Sequence, residues 1–147
     1  MHWILTGWII ALGTGCSGFH RAWRQEVTTN PGYPPSMIEG AWEGEWISDS
    51  NGHHGRLRCL LTENEDGTYT TWYHAKYLKF LGFAYAVEVN SNPSDKGYSL
   101  SGQADLGKLA GGMYHYEGTI SDGHFKATYE SKYDDGTFRM TRPLTDP

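Results

Sequence analysis

The chain has 147 residues, a formal net charge of -5 and 38% hydrophobic residues, a length that suits one domain with a core of its own. Its twelve Lys and Arg are scattered singly or as spaced pairs such as Arg56 and Arg58, which argues against the clustered basic surface that nucleic acid or an anionic bilayer requires. Ten Tyr, six Trp and five Phe beside nineteen Gly favour pleated, half-buried strands joined by tight turns.

In chain order, Trp3 to Leu12 is an apolar run of ten residues. It is too short to cross a bilayer as a helix and has the length of a signal-peptide hydrophobic region. Gly13, Thr14 and Gly15 then lead into Cys16. Small residues directly before a cysteine resemble the bacterial lipobox, although Leu12 stands one place further from the cysteine than that pattern has it, and only His2 precedes the run as a source of charge. The resemblance implies a signal peptide over 1–15 and a diacylated or triacylated Cys16 that holds an exported protein on a membrane of the cell envelope. Cys59 would then be the only thiol of the mature domain, with no disulfide possible within it.

Residues 16–39 read as anchor and tether. Asn30-Pro31-Gly32-Tyr33-Pro34-Pro35 forbids a regular element at the centre, and one helical turn is expected around His20 to Glu26. From residue 40 the pattern changes to period-two alternation between turn signals, which predicts an all-β domain over 40–147. Trp42, Gly44, Trp46 and Ser48 share one face of a first strand, with Glu43 and Glu45 on the other. Seven further strands follow, whose inner faces carry Leu57, Cys59 and Leu61; Tyr69, Thr71, Tyr73, Ala75 and Tyr77; Phe83, Tyr85, Val87 and Val89; Tyr98 and Leu100; Tyr114, Tyr116, Gly118 and Ile120; Phe125, Ala127 and Tyr129; and Phe138 and Met140. Asn51-Gly52, Asp66-Gly67, Asp122-Gly123 and Asp135-Gly136 supply dipeptides suited to hairpin turns.

Such an eight-stranded antiparallel up-and-down meander would have one apolar face and two raw edges, with no amphipathic helix to cover them. Closure into a barrel, or folding into a sandwich, removes the problem, and the local connections favour the barrel. With Gly40-Ala41-Trp42 opening the first strand, the domain is similar to the avidin and lipocalin type of barrel, in which a Trp plugs one end. The segments from Tyr116-Glu117-Gly118 to Gly136-Thr137-Phe138 resemble closing hairpins of uncharacterised bacterial envelope lipoproteins.

Six inward tyrosines, Tyr69, Tyr73, Tyr85, Tyr114, Tyr116 and Tyr129, carry the functional reading. Each buried hydroxyl needs a partner. They either turn their hydroxyls to the barrel ends or, with Trp46, line a cavity for one small hydrophobic, aromatic or lipid-like ligand. Tyr77 to Phe83 is too apolar for a solvated turn and could instead cap the barrel or dock another envelope protein. Ala104 to Gly112 has room for a helical turn or a lid. His53, His54, His74, His115 and His124 read as solvated imidazoles rather than a zinc site, and no metal or cofactor is expected. Nucleophile elbows, zinc-protease motifs and phosphate loops are absent from the sequence, Glu43 and Glu45 read as solubilising charges, and Cys59 as a buried structural thiol. The expectation is a non-enzymatic lipoprotein binding a small ligand; the alternatives are a solid interaction module and, behind it, an envelope hydrolase.

Overall fold

Alternating strands whose inner faces must all be buried at once close on themselves, and they do so here. In the computed structural model, which describes residues 15–30, 36–77, 81–108 and 111–144, eight antiparallel strands follow one another around a closed barrel. They are β1 (Gly40–Ser48), β2 (His54–Glu63), β3 (Tyr69–Tyr77), β4 (Leu81–Ser94), β5 (Gly97–Asp105), β6 (Met113–Ser121), β7 (His124–Glu130) and β8 (Asp135–Thr141). β8 returns to pair with β1, Phe138 opposite Trp46 and Met140 opposite Gly44, so the sheet has no free edge. The signal segment and the Pro31–Pro35 stretch lie outside the described residues.

Register carries the period-two pattern around the barrel. Trp42 stands opposite Cys59, Cys59 opposite Tyr73, and Tyr73 opposite Tyr85. Tyr116 stands opposite Tyr129 in the same inward set. Gly52, Gly67 and Gly123 adopt the positive φ that tight turns need, and Asp122 joins Gly123 in it at φ 51°.

Asp135-Gly136 is not a turn. Both residues belong to β8, and the reversal is made by the preceding residues, where Ser131 N donates to Asp134 O at 2.7 Å. Gly136 serves close approach instead: a Cβ there would stand 2.1 Å from Ile47 O and 2.5 Å from the Tyr129 hydroxyl. The β5–β6 connection is also closed, with Leu106 N donating to Gly112 O and Gly112 N to Gly107 O. Leu109 and Ala110 within it lie outside the described residues.

Residues 15–29 depart from the expected tether. They form a helix, α1 (Gly15–Thr29), packed against the outside of the barrel along β1, β3 and β4. Phe19 and Trp23, one turn apart, are buried together with Ala41 and Leu60 from the barrel wall, and Ala22, Val27, Trp72 and Ala84 pack around them. The outer wall is therefore not uniformly polar. Ala41, Leu60, Trp72 and Ala84 stand on outward positions and make an apolar patch that an isolated helix of this length needs in order to persist.

Candidate functional site

The barrel interior is graded along its axis. At the end where β1 starts, Trp42 is fully buried, packs edge-on against Phe125 at 5.7 Å and donates from Nε1 to Ile38 O at 2.9 Å. Arg142 lies across the same ring, its guanidinium carbon 3.8 Å from the centroid, and donates to the carbonyls of Ala41, Ser36 and Met37. Burial pushes the Arg142 guanidinium down to about 10, still well above neutral pH, so the cation persists over the indole. Ile38, Trp42, Cys59, Ile120, Phe125 and Met140 complete an apolar plug. Burial pushes the Cys59 thiol far up, against the smaller pull of Arg142, and keeps it protonated and unreactive.

Aromatic rings take over toward the opposite end. Tyr73 stacks on Tyr85 at 5.2 Å and on Tyr116 at 6.4 Å, and Phe138 lies 5.4 Å from Tyr73, 6.1 Å from Tyr116 and 5.1 Å from Tyr129. Tyr114 continues the series against Tyr116 and Tyr129. Trp46, four residues beyond Trp42 and about 13 Å further along the strand, stacks on Tyr77 at 5.8 Å and donates from Nε1 to Lys76 O. Phe83 stacks on Tyr85 and is 45% exposed, as is Met113 beside Tyr114. The aromatic interior thus reaches the surface at this end. Residues 78–80, the middle of the apolar segment from Tyr77 to Phe83, lie outside the described residues, while Leu81 at its far side is 61% exposed.

The structure brings Trp46, Tyr73, Tyr85, Tyr114, Tyr116 and Tyr129 into this one cluster. Trp46, Tyr73, Tyr116 and Tyr129 are buried, and Tyr85 and Tyr114 are half-buried. Tyr69 is inward but belongs to the other end, where β3 starts; burial, then Glu63, Glu39 and Tyr98, raise its phenol. Burial raises the phenols of Tyr73, Tyr85, Tyr116 and Tyr129 as well. At Tyr129 the Asp134 carboxylate adds to that effect, and the hydroxyl donates to Asp134 Oδ2 at 3.3 Å. Asp134 Oδ1 also accepts from Ser48 Oγ at 2.5 Å, which ties the end of β1 to the β7–β8 turn beneath the tyrosine.

Two readings of individual residues change. His74, on an outward position, is not solvated: α1 buries it to 5% exposure between the His20 ring at 4.6 Å and the Phe19 ring at 5.4 Å. Glu43 lies 3.6 Å from Arg58 Nε and is more than a free surface charge. No group of three or more His, Cys, Asp or Glu among the described residues stands close enough to hold a metal ion. Cys16, the second residue of α1, has its Sγ 3.6 Å from Gly82 O, beside the start of β4 and hence at the aromatic end of the barrel. Sequence reading placed Phe83 in a segment that caps the barrel or docks a partner, and it missed Met113 at the rim and Arg142 as the partner of the plug, because nothing local in a strand tells which distant residue it meets. In comparisons with known proteins no family model matches the chain, and neither the curated proteins nor the solved structures contain a significant match to it.

Proposed function

We propose that this chain is a non-enzymatic envelope lipoprotein, anchored through Cys16, whose barrel takes up a small hydrophobic, aromatic or lipid-like ligand at its aromatic end. One observation carries the reading: a continuous set of rings runs from the buried Tyr73, Tyr116 and Phe138 to the half-exposed Tyr85, Tyr114 and Phe83, while the other end is plugged by Trp42. Such a surface offers flat apolar faces with hydroxyls at the ring edges, which suits a ligand with an apolar body and a few polar groups. The start of α1 supports the anchoring half of the proposal. A lipid on Cys16, or the apolar segment Trp3–Leu12 if it is retained, would bring the rim residues Leu81, Phe83 and Met113 to the bilayer surface.

The test uses the neutral probe N-phenyl-1-naphthylamine and the protein purified from membranes. Saturable enhancement of probe emission, quenching of Trp46 fluorescence, and loss of both in Tyr114→Ala and Phe83→Ser are expected, together with mass spectra showing an acylated Cys16 as first residue. Unsaturable binding that neither variant changes would reject the ligand site, and an intact Met1 would reject the lipidation. A second reading, docking of another envelope protein, is favoured by the exposed Leu81 and Phe83 above a base of mutually packed rings. A photo-crosslinker at residue 83 that yields one discrete protein adduct in cells would select it.

A further inference from the structure

A second site lies on the outer wall of the barrel, beside α1. It is a cavity of about 80 Å³ lined by His20 from the helix, Arg56 and Arg58 from β2, and His74 and Lys76 from β3. All five side chains are cationic or become so on protonation, in a chain whose net charge is -5, and no carboxylate among the described residues lines the cavity. On the neighbouring strand β1, Glu43 and Glu45 stand in register with Arg58 and Arg56. Of these only Glu43 makes an ion pair, 3.6 Å from Arg58 Nε, which is beyond hydrogen-bond length. That Nε is buried without a hydrogen-bond acceptor, and the guanidinium is held in place by the Trp23 ring at 4.8 Å.

Like charges gathered this way are costly unless an anion completes them. The two imidazoles sit 4.6 Å apart between their rings, and Arg58 stands directly opposite His74 in the β2–β3 register. Burial, then His20, Lys76 and Arg58, hold the His74 imidazole below its ordinary range. The volume is several times the roughly 10–15 Å³ a cavity needs to admit one water molecule, and it suits one tetrahedral oxyanion.

We propose that this cavity binds a phosphate-type oxyanion, with Arg58, His74 and His20 at its base and Arg56 and Lys76 at its exposed rim, and that the anion fastens α1 to the barrel. The site is independent of the ligand assigned to the aromatic end. Its anion comes either from solution or from a phospholipid headgroup, since His20 lies one helical turn from Cys16, about 6 Å along the axis. Binding favours protonated imidazoles, so affinity rises as pH falls. Sulfate, whose own charge is constant between pH 5 and 8, is the probe that isolates this dependence.

The experiment follows the His20 and His74 ring signals by NMR in the full chain in neutral detergent. Sulfate, but not chloride at equal ionic strength, should move both signals saturably, raise the His74 titration midpoint and raise the thermal midpoint. The exposed pair Arg56→Gln and Lys76→Gln should weaken sulfate binding about tenfold or more, the loss expected for charge-assisted contacts, without altering the circular dichroism spectrum. His74→Phe, which keeps a stacked ring, should remove most of the pH dependence. Reconstitution in phosphatidylcholine vesicles with or without phosphatidylglycerol separates the sources: a His74 shift that saturates with the phosphatidylglycerol fraction assigns a headgroup, and a response to sulfate alone assigns a free anion. Equal responses to chloride and sulfate, unchanged by the rim substitutions, would overturn the site.

Discussion

Removing the Trp42 side chain tests whether the barrel is plugged as described. Trp42→Ala takes away a fully buried indole together with its edge contact to Phe125, its hydrogen bond to Ile38 O and the surface on which Arg142 rests. Burial of roughly 150–250 Å² at about 25 cal/mol per Å² corresponds to about 4–6 kcal/mol. Measured Trp→Ala and Phe→Ala losses in cores, about 3–5 kcal/mol, bracket the lower part of that range. Arg142 keeps its three carbonyl acceptors, so its charge stays satisfied and adds little to the loss. A loss near 4 kcal/mol is a large share of the roughly 5–15 kcal/mol that such domains possess and should lower Tm by about 12–16 °C at about 3–4 °C per kcal/mol. Trp42→Phe keeps most of the apolar area and forfeits the Ile38 bond, for a loss of about 1–2 kcal/mol. Trp46→Ala, by contrast, acts at the aromatic end and should chiefly weaken probe binding. Urea unfolding followed by circular dichroism decides the matter, with the midpoint shifting at constant m. A Trp42→Ala loss below about 1 kcal/mol, the scale of a surface change, together with a water-exposed indole spectrum in the parent, would refute the plug.

Alkaline pH should unfold the domain. Tyr73, Tyr85, Tyr116 and Tyr129 have phenols raised by burial in the folded state, so the stability they contribute is complete below about pH 10, the ordinary tyrosine range, and is lost as pH climbs beyond it. Tyrosinate absorbance at these positions should appear together with loss of the β signal; full ionisation of the buried set near pH 10 in an intact barrel would count against their burial. Phe19→Ala with Trp23→Ala should detach α1, at about 3 kcal/mol or more for each ring, and remove the helical part of the circular dichroism spectrum while the strands persist; retention of that helical signal would mean that α1 does not depend on the Leu60–Trp72 patch. Gly136→Ala should cost about 2 kcal/mol or more because its Cβ meets backbone that cannot yield, whereas Gly52→Ala at a φ of 75° with open space around it should cost about 1 kcal/mol. Chemical denaturation of the two variants compares them directly, and equal losses would place Gly136 in a turn after all.

The strands themselves were legible because their signal is local. Trp42, Gly44, Trp46 and Ser48 share a face whatever the rest of the chain does, and Asp66-Gly67 or Asp122-Gly123 turns without help from distant residues. Inward positions, the meander and the need to close follow from that alternation and from the cost of free edges. What alternation leaves open is the third coordinate. It puts Tyr69 and Tyr73 on one face but does not tell that Tyr69 lies at the plugged end, since the axial height of a residue depends on strand tilt and stagger around the whole barrel. Nor does it reveal that Arg142 meets Trp42 across the closing pair of strands. The helix escaped for a related reason: Phe19, Ala22, Trp23 and Val27 form a stripe with only two large rings, within a polar stretch that precedes a Pro-rich one. That stripe becomes stable only against Ala41, Leu60, Trp72 and Ala84, which three or more strands must first bring together on the barrel's outer wall. His74 follows from the same event. It alternates outward like a solvated residue, and the docking of a helix more than forty residues earlier in the chain is what buries it among His20, Arg58 and Lys76.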